Sequence, residues 1–565
     1  MGIIRRSRIW VSALLALLLV LAALPTALHS QAAPGDRTTV ASGLINPRFV
    51  TVAPDGTLYV TEAGNGGAEV LPPNPDGPPG PPATRGYSGR VTKVAPGGAQ
   101  SVLTGGLPSY SEGVGPTGVV YAAGALWITV GGAAALAGLD PLNYEGTILR
   151  IDPTTGIVNT TADIRANEVA NNPDGTDINP NPYGLALAAD GQLYAADAGG
   201  NTIYRLNPTT WELTLAKILP LVPAAPSASP TLHAVPTGVS ADLAGNVLIG
   251  ELPGELTPGA GQVVRLAPDG TLTTVASGLT TVTGVAVGPD KQVYVSQLFG
   301  GFGENGPTPG NVVRVLPNGT TQVVAADLPA PQGIAFDAAG NLFVATNTAS
   351  FGPPPPTPNG EVVRIAGVAT PATVTFSDVS STTPGAEAIN YFAARDVLRG
   401  PGDGTFRPND PLLRAQLAAI ETRAFLWSDQ NRSNPFTDQG VVDAELWRAV
   451  GILAFYDVAR GYPDGTYDPT GQVLNIQAIS LITRAMVAKG FWITQDDDPT
   501  LFPNITPESG HRLDVLTYYH YVGAVPGAGA PTGSWSAATD TASRAYFAEA
   551  LYRAYRSYFA ANPLP

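Results

Sequence analysis

The chain has 565 residues, of which 44% are hydrophobic and 13% are charged, and its formal net charge is −15. This composition is typical of a folded protein with more than one domain, because single hydrophobic cores stop growing at about 250–300 residues. The acidic balance argues against a nucleic-acid partner, which requires clustered lysine and arginine. The absence of cysteine excludes disulfides and cysteine-ligated zinc.

Residues 1–33 predict a secretory signal peptide. Three arginines within the first eight residues precede an almost entirely apolar run from Ile9 to Leu28, and a small-x-small sequence follows at 30–32. This order is typical of export, so we expect a protein that acts outside the cytoplasm. The apolar run is also long enough for an uncleaved membrane anchor, which stays open as the alternative.

One sequence motif of about 18 residues occurs six times between residues 46 and 347. The copies are NPRFVTVAPDGTLYVTEA (46–63), GPTGVVYAAGALWITVG (115–131), NPYGLALAADGQLYAADA (181–198), VPTGVSADLAGNVLIGEL (235–252), TVTGVAVGPDKQVYVSQL (281–298) and APQGIAFDAAGNLFVATN (330–347). Each copy has two apolar runs separated by a turn, which predicts two antiparallel strands, here called a and b.

Two further strands follow in each unit. Strand c reads GRVTKV, GTILRI, NTIYRL, GQVVRL, GNVVRV and GEVVRI, and a fourth run, strand d, follows in all units except the last. Six four-stranded meanders predict an all-β, six-bladed β-propeller over residues 38–366. The N-terminal run Thr38–Leu44 is identical to the strand d run Thr273–Leu279, so we expect it to close the last blade and leave no open edge.

Equivalent polar residues are expected at one mouth of the central channel. The long connections all lie between strands b and c, or between d and the next a, and therefore emerge on one face of the propeller, where binding residues tend to occur. The predicted ligand-site residues are Glu62, Asp197, Glu251, Gln297 and Asn347 at the ends of strands b, with Arg48 and Tyr183 at the starts of strands a. In the second unit the strand b position is Val130 or Gly131.

A metal ion is one possible ligand at this mouth. Glu62, Asp197 and Glu251 are the predicted metal ligands, and Ca²⁺ is the cation that a set of oxygen ligands without cysteine prefers. The alternative is that the polar strand ends only face water in the channel.

Catalytic patterns are sparse. After removal of the signal the histidines are His233, His511 and His520, and no nucleophile elbow, zinc-binding helix or phosphate-binding loop is present. His233 lies on the loop-bearing face and is either a general base or a solvated loop residue. We therefore assign no catalytic residue and favour a function other than catalysis.

The first part of the chain resembles a known family of propellers. The residues that carry the resemblance are TVASGLINPRFVTVAPDGTLYVTEAG, GRVTKVAPGG and PSYSEGVGPTGVVYAAGALWITVGG. They are similar to NHL-type six-bladed propellers and, more closely, to the ScyD/ScyE family associated with scytonemin biosynthesis. The resemblance implies an exported propeller of undefined activity. The gluconolactonase-like propellers are more distant, and their metal-binding ring is similar in kind to Glu62, Asp197, Glu251 and Asn347.

The hydrophobic period changes from two to helical after a Thr/Ala/Pro linker at 367–375. Three units follow at 376–428, 435–490 and 501–557, and the first two align without a gap at an offset of 61 residues. Each unit predicts two amphipathic helices separated by a turn. Asp410 and Thr541 are the expected N-caps of the second helix in units one and three.

These three units resemble surface-layer homology (SLH) modules. The motifs that match are FSDV, GYPDGTYDP and the helix starts Leu413-Arg414-Ala415-Gln416 and Ser543-Arg544-Ala545-Tyr546. The resemblance implies an all-α triad folded as a pseudo-threefold helical prism that binds pyruvylated cell-wall polysaccharide in grooves between the repeats. It assigns polysaccharide binding to Arg414, Arg544, Asp403, Asp464 and Trp447. The second unit has Asn475 at the arginine position, so two grooves are expected to be competent. The alternative is that these helices only pack.

The sequence therefore predicts an exported protein of the cell surface, cell wall or S-layer. In the first hypothesis the SLH units anchor a propeller that serves as a binding or scaffold module for an unknown ligand. In the second hypothesis the propeller is a metal-dependent hydrolase of the lactonase type, with its site at the channel mouth. Convergence of the carboxylates on one point would favour the second hypothesis.

Overall fold

The computed structural model describes residues 35–72, 82–134, 138–224, 230–242, 244–253, 257–303, 306–348, 359–370, 374–425, 427 and 433–558. The expected signal peptide, residues 1–33, lies outside the described residues. Within the described ranges, no helix is both long enough and apolar enough to cross a membrane.

The N-terminal part is a six-bladed β-propeller, as predicted. Each blade is an antiparallel sheet whose strands run outward from the axis in the order a, b, c, d. The strands of blades 1 to 3 are Pro47–Val52, Leu58–Glu62, Thr84–Val94 and Gln100–Tyr110; Pro116–Ala122, Ala125–Val130, Thr147–Ile151 and Val158–Asp163; and Pro182–Leu187, Leu193–Asp197, Thr202–Leu206 and Leu213–Ile218. Those of blades 4 to 6 are Pro236–Ala241, Val247–Glu251, Gly261–Leu266 and Leu272–Leu279; Val282–Val287, Val293–Gly303, Gly306–Val315 and Thr321–Leu328; and Ile334–Phe336, Leu342–Thr346, Gly360–Ile365 and Arg37–Leu44.

Both ends of the propeller contribute to its sixth blade. The N-terminal strand Arg37–Leu44 pairs antiparallel with Gly360–Ile365, so that Arg37 lies opposite Ile365 and Leu44 opposite Gly360. Because this strand supplies the outermost position of the last sheet, the ring closes through main-chain hydrogen bonds between its first and last strands.

Glycine at the third position of strand a brings the inner strands together. A Cβ on Gly184 would lie 2.1 Å from the Thr237 carbonyl oxygen of the next blade, and one on Gly238 would lie 2.4 Å from the Val285 nitrogen. Gly118, Gly284 and Gly333 make the same close approach. These distances are far too short for any side chain, so neighbouring blades pack backbone to backbone around the axis.

A short helix that the sequence did not predict connects blades 2 and 3. Ile164–Asn171 begins after Asp163, whose side chain accepts a hydrogen bond from the Ala166 nitrogen at 2.8 Å. The helix ends at Asn172, which has φ of 39°. The connection from blade 3 to blade 4 contains a small hairpin made of Val222–Pro223 and Pro230–Leu232.

The C-terminal part is helical, also as predicted, with two helices in each unit. The helices are Ala386–Ala394 and Arg414–Ala424, Ala444–Phe455 and Asn475–Ala488, and Arg512–Val522 and Arg544–Tyr558. Two short 3-10 helices, Pro507–Ser509 and Ser536–Thr539, belong to the third unit.

A cyclic set of main-chain hydrogen bonds joins the three units. The Leu412 nitrogen donates to the Ala542 oxygen at 2.9 Å, the Ala542 nitrogen to the Val473 oxygen at 2.8 Å, and the Val473 nitrogen to the Leu412 oxygen at 2.9 Å. Each of these residues lies two positions before the first residue of the second helix of its unit. Each unit therefore contacts both of the others through equivalent backbone.

The predicted N-caps, Asp410 and Thr541, were wrong. The extended residues that form these main-chain hydrogen bonds lie between the turn and the second helix of each unit. The helix in unit one begins at Arg414, and its N-terminus is closed by Gln416, whose side chain accepts from the Leu413 nitrogen at 3.3 Å. Asp410 and Thr541 lie too far upstream to cap either helix. In unit three the Ser543 hydroxyl takes this role and accepts from the Tyr546 nitrogen at 3.1 Å.

The helical part packs against the tight-turn face of the propeller. The Tyr558 hydroxyl donates to the Gly191 oxygen at 3.1 Å, and the Arg556 Nη2 group donates to the Pro54 oxygen at 2.6 Å. The ring of Phe491 stacks on that of Tyr558 with centroids 4.5 Å apart. Since Gly191 and Pro54 lie in turns between strands a and b, the helices cover the face opposite the long loops.

Candidate functional site

In blade 1 the predicted ligand residue is already saturated by its own blade. Glu62 is fully buried and accepts two hydrogen bonds from Arg90, at 2.9 Å and 2.7 Å, together with one from the Ile45 nitrogen at 2.6 Å. The Thr92 hydroxyl donates to the same carboxylate. Both carboxylate oxygens accept hydrogen bonds and the negative charge is paired with Arg90, so this carboxylate is not available to bind a metal ion.

Blades 4 and 5 hold the equivalent side chains in the same way. The Gln262 amide donates to Glu251 at 2.6 Å, and the Gln297 amide donates to Asn311 at 2.8 Å. The Gln297 side chain also accepts from the Thr280 nitrogen at 2.6 Å. Burial raises the pKa of Glu251 to about 7, and the hydrogen bond from Gln262 opposes that rise.

The remaining members of this ring differ. In blade 6 the Asn347 side chain donates to the Asn359 oxygen at 3.1 Å. In blade 2 the register pairs Val130 with Pro116, as Glu62 pairs with Pro47, so Val130 and not Gly131 is the equivalent residue. Asp197 of blade 3 accepts from the Asn181 nitrogen at 2.7 Å.

The predicted calcium set is therefore wrong. Among the described residues no three acidic or histidine side chains are placed to hold a metal ion together. The physical reason is that each strand b terminus faces the strand c residue opposite it and the backbone of the preceding crossover. Glu62 and Glu251 accept hydrogen bonds from strand c of their own blades, Asp197 accepts from the backbone, and the three carboxylates do not converge on one point.

Side chains at the start of strand a meet across the ring instead. The Tyr183 hydroxyl of blade 3 donates to Gln332 of blade 6 at 3.0 Å, and the Tyr183 ring meets the edge of Phe49 of blade 1 with centroids 5.9 Å apart. Burial raises the pKa of Tyr183, and the nearby Arg48 guanidinium opposes the rise. Residues from blades 1, 3 and 6 thus contact one another across the ring.

His233 is held by polar neighbours on the loop-bearing face. Its Nδ1 lies 3.3 Å from the Asn201 amide, which also donates to Asp174 at 2.8 Å. This arrangement orients the imidazole, and among the described residues no nucleophile is hydrogen-bonded to it, so these contacts do not support a role as general base.

The helical part presents a second candidate site at the junction of units one and two. Arg414 donates through Nε to the Tyr467 oxygen at 2.8 Å and through Nη2 to the Arg460 oxygen at 3.1 Å. Its guanidinium carbon lies 4.4 Å from the Tyr467 ring centroid and 5.3 Å from that of Tyr462. No Nη1 hydrogen bond forms within the described residues, so one edge of this guanidinium is available to a ligand.

The junction of units three and one repeats the same geometry. Arg544 donates through Nε to the Phe406 oxygen at 2.9 Å and through Nη2 to the Arg399 oxygen at 2.8 Å, and its guanidinium carbon lies 4.6 Å from the Phe406 ring centroid. Burial lowers the pKa of Arg544 from its ordinary value, although an arginine remains charged at any physiological pH. Its Nη1 group is likewise without a described hydrogen bond.

The third junction has no cation at this position. Asn475 donates to the Ala537 oxygen at 2.9 Å, which replaces one of the two hydrogen bonds that each arginine makes to the next unit. Its side-chain oxygen is buried without a partner. The site is therefore neutral, and a short side chain fills it.

The other residues assigned by resemblance have structural roles. Asp403 accepts from the Thr405 nitrogen at 3.0 Å and pairs with Arg407 at 2.7 Å, while Asp464 accepts from the Thr466 nitrogen at 3.0 Å. Both aspartates stabilise turns, and hydrogen bonds from the Thr405 and Arg407 side chains lower the pKa of Asp403 to about 2. Trp447 is only 9% exposed, which leaves little of its ring for a ligand.

Comparison with known proteins finds a family match in the helical part. Residues 375–418 match the S-layer homology domain family. A stretch of 141 residues is 28% identical to cell surface glycoprotein 1 of Acetivibrio thermocellus and covers 23% of this chain and 6% of that protein. A stretch of 118 residues is 25% identical to the cellulosome-anchoring protein of the same organism and covers 20% of this chain and 26% of that protein. The chain thus spans about a quarter or less of these relatives.

Among solved structures, virginiamycin B lyase from Staphylococcus aureus is similar to this chain at 14% identity and a TM-score of 0.34. The match covers 59% of this chain and 98% of the lyase.

Proposed function

We propose that this protein is an exported cell-surface protein that its helical part holds on cell-wall polysaccharide, with the propeller displayed as a binding or scaffold module. The observation that carries the proposal is the pair Arg414 and Arg544. Each arginine is fixed at the junction of two helical units by backbone carbonyls and an aromatic ring, and in each the Nη1 group has no hydrogen bond to a described residue.

We propose further that the three units form a pseudo-threefold prism. The cyclic hydrogen bonds among Leu412, Val473 and Ala542 support this arrangement, because they relate the three units through equivalent residues. In such a prism every junction presents the start of one helix to the turn region of the next unit. Two of the three junctions then carry a cation, and the third carries Asn475.

An acidic sugar is the ligand class that suits these junctions. A guanidinium fork binds carboxylates with directed, charge-assisted hydrogen bonds, and preorganisation by the neighbouring carbonyls reduces the entropy lost on binding. Beside Arg414 the half-exposed Tyr462 ring provides an apolar surface for a sugar face, whereas the buried rings of Tyr467 and Phe406 pack against the two guanidinium groups. A pyruvylated wall polysaccharide, which carries a carboxylate on each modified sugar, fits both features.

The orientation of the two parts supports display of the propeller. The helices cover the tight-turn face, through contacts such as Tyr558 with Gly191, so the long loops lie on the face away from the anchor. Since Tyr183 and Gln332 are hydrogen-bonded to each other across the ring, we place the unknown ligand of the propeller on those loops and not in the channel.

Cosedimentation with purified wall polysaccharide tests the anchor. Arg414→Asn and Arg544→Asn introduce the residue that the chain itself carries at position 475, so both variants should fold. We expect each single variant to bind several-fold more weakly, and the double variant to remain in the supernatant. Arg314→Asn on the propeller is the matched control and should sediment like the native protein. Unchanged sedimentation of the double variant would refute the proposal.

The polymer itself provides the second control. Removal of its acidic substituents should abolish sedimentation of the native protein if a carboxylate is recognised. Full binding to the neutral polymer would support anchoring by the helical part but contradict the recognition of an acidic sugar.

A further inference from the structure

Two carboxyl groups meet inside the crossover between blades 2 and 3. Glu168 lies on the helix Ile164–Asn171 and is 1% exposed, while Asp197 ends strand b of blade 3 and is fully buried. Glu168 was not predicted as functional, because a single acid in a crossover has no pattern that distinguishes it.

One oxygen of each group is satisfied by the backbone. Glu168 Oε1 accepts from the Asn179 nitrogen at 2.5 Å, and Asp197 Oδ1 accepts from the Asn181 nitrogen at 2.7 Å and from the Gly200 nitrogen at 3.4 Å. The two groups thereby hold both ends of the segment that leads into blade 3.

The other two oxygens are buried and have no donor among the described residues. They are Glu168 Oε2 and Asp197 Oδ2, which lie 2.7 Å and 3.1 Å from the position that a Cβ on Gly200 would occupy. Two acceptors therefore face each other beside a glycine, which leaves space for them where any larger residue would collide.

Among the described residues, blade 3 differs from blades 1, 4 and 5 because its strand c provides no hydrogen-bond donor to the side chain at the end of strand b. The strand c residue opposite the equivalent side chain is Arg90 in blade 1, Gln262 in blade 4 and Asn311 in blade 5, and each provides a hydrogen bond. In blade 3 that residue is Thr202, whose buried hydroxyl is also without a partner. Blade 3 thus lacks the donor and adds a second acid.

The surrounding groups do not supply a cation. On strand c the Tyr204 hydroxyl donates to Asn167 at 3.1 Å, and in the loop after the helix Asp174 accepts from Asn201, which also contacts His233. Arg165 on the same helix approaches Asp163 at 3.7 Å. Within the described residues neither carboxyl of the pair forms an ion pair with lysine or arginine.

The environment favours a proton over a metal ion at this place. Calcium requires six to eight oxygen ligands, whereas the free oxygens here are Glu168 Oε2, Asp197 Oδ2 and the Thr202 hydroxyl. The three backbone N–H groups that point at the pair stabilise negative charge and would repel a cation. One proton between the two carboxyls converts two opposed acceptors into a donor and an acceptor.

We propose that Glu168 and Asp197 share one proton, and that this acid–carboxylate pair is a pH-sensitive latch that holds the crossover 164–181 on the loop-bearing face. While the proton is bound, one carboxyl donates an O–H to the other. When a base removes it, two buried carboxylates face each other and their repulsion opens the crossover. Burial and the neighbouring Glu168 raise the pKa of Asp197 well above its ordinary value, which agrees with retention of the proton near neutral pH.

Hydrogen exchange on the full chain tests the latch. Between the ordinary pKa range of a carboxyl group and the pH at which the closed pair loses its proton, opening of residues 164–181 should increase about tenfold per pH unit beyond the intrinsic pH dependence of exchange. Above that pH the extra dependence should level off, because opening then releases no proton. Glu168→Gln puts an amide donor where the proton was, so exchange of this segment should lose that extra dependence. Glu212→Gln, an exposed acid in the same blade, is the matched control and should behave like the native chain.

Two results would overturn the proposal. Exchange of 164–181 in the native chain that follows only the intrinsic pH dependence would show that no proton is released on opening. A Glu168→Gln variant that melts lower at every pH, together with one equivalent of metal in the purified native protein, would show that a cation and not a proton joins the two groups.

Discussion

The propeller and the helical part both repeat a polar position, and they use the repetition in opposite ways. In the propeller the repeated residues at the ends of strands b are bonded within their own blades, as Glu62 is to Arg90. In the helical part Arg414 and Arg544 each bridge two units, and their Nη1 groups have no hydrogen bond within the described part of the chain. A polar residue that recurs in a repeat is therefore a candidate binding residue only when it has donors or acceptors left over after its hydrogen bonds within the protein are formed.

The largest expected effect concerns the buried ion pair of blade 1. Arg90→Met leaves the Glu62 carboxylate buried without its charge partner, which should lower the free energy of unfolding by about 3–5 kcal/mol. Gln262→Met, at the equivalent position of blade 4, removes an uncharged donor and should cost about 1 kcal/mol. Chemical denaturation of both variants measures the difference. Equal losses would contradict the structural role assigned to Arg90.

The pH dependence of blade 4 is the next largest effect. The pKa of Glu251 rises from 4.5 to about 7 on folding, so the folded state binds a proton more tightly than the unfolded state. Stability is fully present below about pH 4.5 and declines by about 3 kcal/mol as the pH rises to 7, after which this contribution is constant.

Glu251→Gln keeps the shape of the side chain and removes the titration. We expect the variant to lose this part of the decline between pH 5 and pH 8, measured by urea unfolding at both values. A variant whose stability changes with pH as steeply as that of the native chain would contradict the assignment.

A third effect concerns the core of the helical part. Glu421 is fully buried, and neither of its carboxylate oxygens has a hydrogen-bond partner among the described residues, whereas the equivalent residues in units two and three are Ile482 and Leu551. Burial raises the pKa of Glu421 well above its ordinary value, so this group destabilises the fold as the pH rises above that value.

Replacement of Glu421 by leucine should therefore stabilise the helical part by about 2 kcal/mol at pH 7, because the desolvation cost of the acid disappears. Thermal melting at pH 5 and pH 8 would show a larger gain at the higher pH. A loss of stability at both pH 5 and pH 8 would indicate that a partner stabilises Glu421 in the folded protein.

The smallest effect tests the neutral junction. Asn475→Ala removes the hydrogen bond to the Ala537 oxygen and should cost about 1 kcal/mol of stability. Binding to wall polysaccharide should be unchanged, because this junction carries no cation. Weaker binding of this variant would mean that all three junctions take part.

The repeats explain why so much of the fold could be predicted from the sequence. Strand pairing within a blade depends on residues close together in the chain, and the identity of Thr38–Leu44 with Thr273–Leu279 was enough to predict the closing strand. The helical units were equally visible in the change of hydrophobic period.

The candidate site in the propeller was harder to predict because it depends on distant contacts. Tyr183 donates a hydrogen bond to Gln332, which is 149 positions away in the chain. The recurring glycine of strand a is evident in the sequence, but its close approach to the next blade is evident only in the structure. Alignment of equivalent residues showed that Glu62, Asp197 and Glu251 correspond, but not that each faces its own blade.

The central claim is that two of three equivalent junctions bind an acidic wall polysaccharide. Calorimetric titration of the full chain with short acidic fragments of the polymer tests it most directly. We predict two binding sites per chain, one site in Arg414→Asn, one in Arg544→Asn and none in the double variant. Two sites that persist in the double variant, or three sites in the native chain, would contradict the account.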